Sequence, residues 1–365
     1  MSAFTWRSES DEPAPAALSE VDDQLKADEA LKRVRKGEFL KYTGTFQNAK
    51  QLLSAMSRRL PAVPPSKTSL DAFRAERRAR QLEHQTLSRL VVGLDAEYRL
   101  LLQRAPDVSL ICKQVWGKAE SALTVVPLKT LLGMQGASEW RRKGLVVPGL
   151  EGKLTPHYGV YLPTRTEYVE LVRTLPDVAG RSVFELGTGT GILSFILLQR
   201  GARSVTATDI DPRAVICARE NSQQLALADR FTVIESATWP EGTAELIICN
   251  PPWLPEPPKN RIDRAVFDEN NQFLLAFLEG LESHLAPGGR GVLVLSNLAV
   301  LLGLRQEDWL ERELKRVGLR IESTATTTAT HGKARDESDP LHAARSREVT
   351  TRYVLKSDRL SKRPD

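Results

Sequence analysis

Two short strings hold the residue types that could do chemistry. Phe184-Glu-Leu-Gly-Thr-Gly-Thr-Gly191 sets Gly187, Gly189 and Gly191 at alternate positions behind an apolar run, with an acid, Glu185, just inside its end. Glycines spaced this way let backbone N–H groups come close to a ligand where a strand turns into a helix. Asn250-Pro-Pro-Trp253 follows a second apolar run, Ala244–Cys249, and begins 63 positions after Gly187. The nitrogen of an amide or an exocyclic amine is a poor nucleophile, because its lone pair is delocalised into a carbonyl or a ring. Two acceptors aimed at its N–H bonds localise that pair, and the Asn250 side-chain oxygen and the Pro251 carbonyl can supply them. Pro251 and Pro252 stiffen the backbone between the two acceptors. Trp253 offers a face on which a base or an amide plane can stack.

The first string also limits its ligand. Its glycines read GxGxG, not the GxGxxG of dinucleotide-binding turns. Glu185 would repel a pyrophosphate and suits a cofactor end that carries a cationic ammonium and sulfonium. Asp209 lies 22 residues beyond Gly187 at the end of the next apolar run, where a carboxylate can accept both hydroxyls of a ribose. A nicotinamide-dependent dehydrogenase is disfavoured on both counts. Asp211 precedes Pro212 and fits the cap of a helix. Other reactive residue types lack a pattern. His157, His331 and His342 have no ligand-like spacing. Cys112, Cys217 and Cys249 are odd in number and far apart, which suggests neither a disulfide framework nor a zinc cluster.

The positioning elements come from the second half of the chain. Strand-like runs at Ser182–Leu186, Ser204–Asp209, Phe231–Glu235, Ala244–Cys249 and Gly291–Ser296 alternate with helix-length segments at Gly191–Arg200, Pro212–Leu225, Asn270–Leu285 and Arg305–Val317. Alternation of this kind predicts an α/β fold with a mostly parallel, doubly wound sheet. Leu319–Thr328 and Val349–Lys356 read as an antiparallel pair at its edge. Their connection, Ala329–Glu348, is long and charged, and such loops are commonly functional or disordered. In the first half, helical spacing runs from Ala27 to Leu60 and stops at Pro61-Ala-Val-Pro-Pro65. A long helix is predicted from about Leu70 to Arg104, with Leu87, Leu90, Val91, Leu94, Tyr98 and Leu101 on one face. Residues 105–160 have a mixed pattern.

The 365 residues suffice for two domains, and no apolar run is long enough to span a bilayer. Met1 to Pro13 shows no secretory signal pattern, and with the scattered cysteines this predicts a reducing cytoplasm. The net charge of +5 is unevenly spread. Residues 1–25 carry −5, residues 26–150 carry +12 with 23 basic against 11 acidic side chains, and residues 151–365 carry −2. The expected division is a disordered acidic tail (1–25), a basic, mainly α-helical domain (26–150), a catalytic domain (151–357) and a short tail (358–365). The basic block suggests a polyanionic partner; a solvated Arg-rich helical surface is the alternative.

The strings FELGTGTGILS, ATDIDP (Ala207–Pro212), ARENS (Ala218–Ser222) and IICNPPW (Ile247–Trp253) resemble the motifs of class I S-adenosylmethionine (SAM)-dependent methyltransferases. The likeness spans roughly residues 155–325. It is strongest to the group of small methyltransferases that includes release-factor glutamine methyltransferases and N6-adenine or N2-guanine RNA methyltransferases. Pro163-Thr-Arg-Thr-Glu167 resembles the segment that precedes the glycine motif in the glutamine enzymes. The resemblance implies a seven-stranded Rossmann-like domain that binds SAM through Glu185, Gly187, Thr188, Gly189, Gly191, Asp209, Ile210 and Asn250. Glu235 and Ser236 would lie near the adenine, where the family's usual Asp is absent. Asn250, Pro251, Pro252 and Trp253 would form the catalytic motif. The implied reaction is methylation of a planar nitrogen: an exocyclic base amine of RNA or DNA or, alternatively, a glutamine amide of a protein such as a release factor. A SAM- or nucleic-acid-binding protein without activity is a further alternative, and the intact NPPW string argues against it.

Overall fold

Residues 1–25, expected to be a disordered tail, supply two strands. In the computed structural model, which describes residues 4–9, 12–163, 165–237 and 239–358, β1 (Thr5–Trp6) and β2 (Ser19–Val21) pair with longer partners. The chain divides into one unit of residues 1–65 with 74–139 and another of residues 66–73 with 140–365.

The first unit holds a five-stranded sheet, which corrects the mainly helical expectation. In chain order come β1, β2, α1 (Ala27–Arg35), β3 (Leu40–Tyr42), α2 (Phe46–Arg58), α3 (Ser69–Leu87), β4 (Leu90–Asp95), α4 (Ser109–Trp116), β5 (Leu123–Pro127) and α5 (Leu128–Lys143), and the sheet order is β1-β5-β4-β3-β2. The predicted helix over 70–104 splits, because Leu90-Val-Val-Gly-Leu94 is buried on both faces as a central strand. A continuous apolar run satisfies helical spacing by accident, and only its partners reveal it as a strand. The tail is ordered by similar long-range pairing. Asp23 accepts hydrogen bonds from the Tyr42 hydroxyl (2.6 Å) and the Thr45 N–H (2.9 Å), which hold its carboxyl below the usual range.

The second unit follows the predicted alternation closely. It contains α6 (Glu167–Arg173), β6 (Ser182–Leu186), α7 (Ile192–Gln199), β7 (Ser204–Asp209), α8 (Pro212–Gln224), β8 (Phe231–Glu235), β9 (Ala244–Cys249), α9 (Gln272–His284), β10 (Leu285–Ser296), α10 (Leu298–Leu301), α11 (Trp309–Val317), β11 (Leu319–Thr328), α12 (Gly332–Arg335), α13 (His342–Arg345) and β12 (Val349–Ser357). Its seven strands are ordered β11-β12-β10-β9-β6-β7-β8, and every pairing is parallel except the two made by β12. Alternate side chains enter two cores. Val183, Val205, Ala207, Leu246, Ile248, Val292 and Val294 face α6, α7 and α8, while Phe184, Leu186, Ile247, Cys249, Leu293 and Leu295 face α9 and α11. Burial on both faces explains why these strands read as near-continuous apolar runs.

Strand order reverses between β6 and β9. The chain runs outward from β6 through β7 to β8, then returns to place β9 on the other side of β6. Ligands of open α/β sheets bind beyond the carboxyl ends of the strands at such a reversal. Leu186 pairs with Cys249, so Gly187 and Asn250 each stand one residue past a paired position. The sheet register alone brings the two chemical strings together.

Candidate active site

The glycine turn is held from beneath. Gly187 and Thr188 both donate their N–H to the Thr208 carbonyl, at 2.9 and 3.1 Å. Glu185 is buried, and its Oε2 accepts from the hydroxyls of Thr188 (2.7 Å) and Ser194. Burial pushes the Glu185 carboxyl up to about 7 despite those two donors, and the nearby Asp209 charge adds to the rise. Asn221, fully buried on α8, donates to the Thr190 carbonyl (3.1 Å) and accepts from the Thr155 N–H (2.7 Å), tying the turn to its flanks. Asn221 lies in the ARENS string, and nothing in the residue types there points to this role.

Two glycines show why the turn needs its residue type. Gly191 has φ +87° and caps α7; a Cβ there would sit 2.4 Å from the Phe195 ring. Gly189 has φ +56°, and a Cβ built on it would meet no other atom within 4 Å, so the backbone borders open space. Glycine here keeps the left-handed conformation cheap and leaves no side chain over that space.

Asp209 stands half-buried beside that space. Its Oδ2 accepts the Gly189 N–H and its Oδ1 the Asp211 N–H, both at 2.9 Å. Burial raises its carboxyl above the usual range, with the Asp211 charge contributing, against the lowering effect of the backbone donors. Each oxygen retains a lone pair that a ribose hydroxyl could engage. Ile210 is exposed beside it. Glu235 pairs with Asp209 across β7 and β8 and is exposed, and the Ser236 N–H donates to the Asp209 carbonyl at 3.0 Å. The residues predicted for the cofactor, except Asn250 after β9, therefore stand at or just beyond the carboxyl ends of β6, β7 and β8. Their chemistry suits SAM: a glycine turn with no side chain over open space at Gly189, a carboxylate that could take a ribose, and the exposed Ile210 beside it.

Asn250 follows β9, with Pro251 buried and Trp253 half-buried behind it. The Trp253 indole N–H donates to Asn250 Oδ1 at 3.0 Å. An indole nitrogen can only donate, so the amide oxygen must face it, and one lone pair of that oxygen remains. Leu254 anchors the following loop, its N–H donating to the Val266 carbonyl (3.1 Å) and its carbonyl accepting from Asp268 (2.9 Å). Asp268 in turn accepts the Phe273 and Leu274 N–H groups at the start of α9.

Two arginines that the sequence did not single out also hold Trp253. The Arg165 guanidinium lies 4.8 Å from the indole centroid. Arg305 Nη2 donates to the Trp253 carbonyl at 3.3 Å and also to Asn271 Oδ1. Burial drives Arg305 down to about 10. Arg165 stands in the Pro163–Glu167 segment, and Arg305 carries no signal in the sequence.

This sheet order, with its glycine turn and amide at the reversal, defines a nucleoside-cofactor enzyme of the class I methyltransferase type. The chain is similar in sequence to known methyltransferases. The family model for ribosomal protein L11 methyltransferase (PrmA) matches residues 168–251. A Methanocaldococcus jannaschii protein, named as a proposed protein N5-glutamine methyltransferase, is 31% identical over 186 residues, covering 48% of this chain and 89% of its own length. The tRNA1(Val) (adenine(37)-N6)-methyltransferase of Shewanella loihica is 26% identical over 150 residues, covering 38% of this chain and 62% of its own length. The crystal structure of ribosomal protein L11 methylase from Lactobacillus delbrueckii subsp. bulgaricus superposes with a TM-score of 0.36 at 20% identity, covering 52% of this chain and 76% of that one. The chain belongs to the small class I SAM-dependent methyltransferases, and it is an N-methyltransferase whose cofactor is SAM. Among the described residues no helix is long and apolar enough to cross a membrane.

Proposed function

We propose that the enzyme methylates an exocyclic base amine of RNA or DNA, using Asn250, Pro251, Pro252 and Trp253 as its acceptor site. The observation that supports this reading is the register of β6 with β9, whose last pair, Leu186 with Cys249, leaves Gly187 and Asn250 each one residue beyond it. Gly187, Thr188, Gly189 and Gly191 would hold the amino-acid end of SAM, with Glu185 as the nearby anion. Asp209 would take the ribose, and Ile210, Glu235 and Ser236 would border the adenine. When bound, SAM supplies an electrophilic methyl on a sulfonium. Asn250 Oδ1 would accept one N–H of the acceptor nitrogen and the Pro251 carbonyl the other, turning the lone pair toward that methyl. The sulfonium C–S bond would break as the N–C bond forms, and the methylated nitrogen would lose one proton to water. Trp253 limits the plane in which the acceptor can lie. Positioning and fixed dipoles supply the rate, and no strong base is required.

Charge favours a polynucleotide. The +12 of residues 26–150 includes exposed Lys32, Arg35 and Lys36 in one cluster and exposed Arg74 and Arg78 in another. Arg33 and Arg80 of those clusters pair with Glu38 and Glu76. A protein glutamine is the second reading, favoured by the 31% identity to the Methanocaldococcus protein. Three buried free cysteines suit a cytoplasmic setting. The test is incubation with labelled SAM and separate RNA, DNA and protein fractions of a cell extract. Label in nuclease-sensitive material is expected; label confined to protein would replace this reading with the glutamine one.

A further inference from the structure

The proposed acceptor loop does not stand on its own contacts. Arg165 lies over the Trp253 ring and is gripped by two carboxylates. Its Nε donates to Glu167 Oε1 and its Nη2 to Glu348 Oε1, each at 3.0 Å. Both acids are buried, at 7% and 1% exposure. They come from opposite ends of the unit's sequence: Glu167 opens α6, and Glu348 closes the long connection between β11 and β12. Glu348 also accepts the Ser296 hydroxyl at the end of β10 (2.6 Å), and its other oxygen lies 3.5 Å from His331 Nε2.

Gathering two buried carboxylates about one guanidinium is a poor way to gain stability, because desolvation offsets most of the attraction. What it does give is a guanidinium plane fixed by two bonds at different nitrogens, which a lysine could not reproduce. That plane covers one face of the indole. The indole N–H in turn sets the Asn250 amide. A continuous line therefore runs from the connection 329–348 through Glu348, Arg165 and Trp253 to Asn250 Oδ1. A ring free to tilt would let the amide turn and lose the alignment of its remaining lone pair.

We propose that Arg165 is a positioning residue for methyl transfer: clamped by Glu167 and Glu348, it holds the Trp253 indole and through it the orientation of Asn250. The long charged connection then has a role, since it delivers one jaw of the clamp. This proposal rests on the reading of Asn250 as the acceptor-binding residue.

The test uses the full chain, labelled SAM and unfractionated cell extract as acceptor, with maximal rate and half-saturating extract measured separately. Arg165→Met should lower the maximal rate about tenfold or more, while SAM affinity and half-saturation change little, as for a group that acts on transition-state geometry. Arg165→Lys, which keeps the charge but not the plane, should restore little of the rate; full rescue by Lys would overturn the plane as the cause. Because Arg165→Met leaves two buried carboxylates unpaired, Arg165→Met with Glu348→Gln serves as the better-balanced variant and should show the same rate loss. The change in tryptophan emission on Arg165→Met should vanish in a Trp253→Phe background. An undiminished maximal rate in either folded variant, with Asn250→Ala inactive, would overturn the role of Arg165 alone. An undiminished rate in Asn250→Ala would overturn the reading of the acceptor site and this proposal with it.

Discussion

The two sides of the strand reversal are built differently. The proposed cofactor side is local: Glu185, Gly187, Thr188, Gly189, Ser194 and Asp209 lie within 25 residues, and hydrogen bonds among them set the turn. The acceptor side is assembled from a distance. Trp253 is held by Arg165 and Arg305, and these by Glu167, Glu348 and Asn271, residues spread over more than 180 positions. A cradle for one constant cofactor can be written as a contiguous string. The proposed acceptor side depends on side chains that only the tertiary fold brings together.

That contrast predicts that the two sides can be damaged independently. The largest expected effect on the cofactor side comes from Asp209→Ala. Losing hydrogen bonds to a charged group should cost about 1.5–3 kcal/mol of SAM affinity, roughly a 10- to 150-fold rise in Kd. Calorimetry measures it; unchanged affinity in a folded variant would remove Asp209 from the site.

A smaller effect should follow pH. Burial lifts Glu185 from the ordinary 4.5 to about 7 in the free protein. A cofactor end bearing positive charge favours the carboxylate, so SAM affinity should rise by a few-fold from about pH 6 to about pH 8 as the group ionises. Glu185→Gln should flatten that profile. The linked stability runs the other way. With its folded pKa raised, the group's stabilising contribution to the free protein is fully present below 4.5 and is lost as pH rises toward 7. Melting temperatures across that window would check the sign, and a SAM affinity that is flat or falls with pH would place Glu185 away from the cationic end.

The most diffuse effect belongs to the basic residues. If they neutralise phosphates, RNA or DNA binding should weaken steeply with salt. Reversing Arg74, Arg77, Arg78 and Arg80 to Glu should weaken it alike for all sequences, with SAM affinity intact. Filter binding at several salt concentrations tests this, and salt-insensitive binding would contradict the phosphate mechanism.

The same local-versus-distant distinction decided what the sequence revealed. Strands β6 to β9, the glycine turn, Asp209 and the NPPW loop were legible because their signals are contiguous and their burial is two-sided. The first unit was misread: β4 is a continuous apolar run that helical spacing also fits, and β1 and β2 are strands only because β5 and β3 pair with them. Arg305 and Glu348 were unreadable as site residues, since a charged side chain far along the chain says nothing of where it folds back.

The central claim is that Asn250 acts on the acceptor and hardly on the cofactor. Asn250→Ala should therefore bind SAM with nearly wild-type affinity in calorimetry, while methyl transfer from labelled SAM to cell extract falls by about 10²-fold or more, as when a transition-state acceptor is removed. Wild-type turnover, or a loss of SAM affinity equal to the loss of turnover, would contradict it.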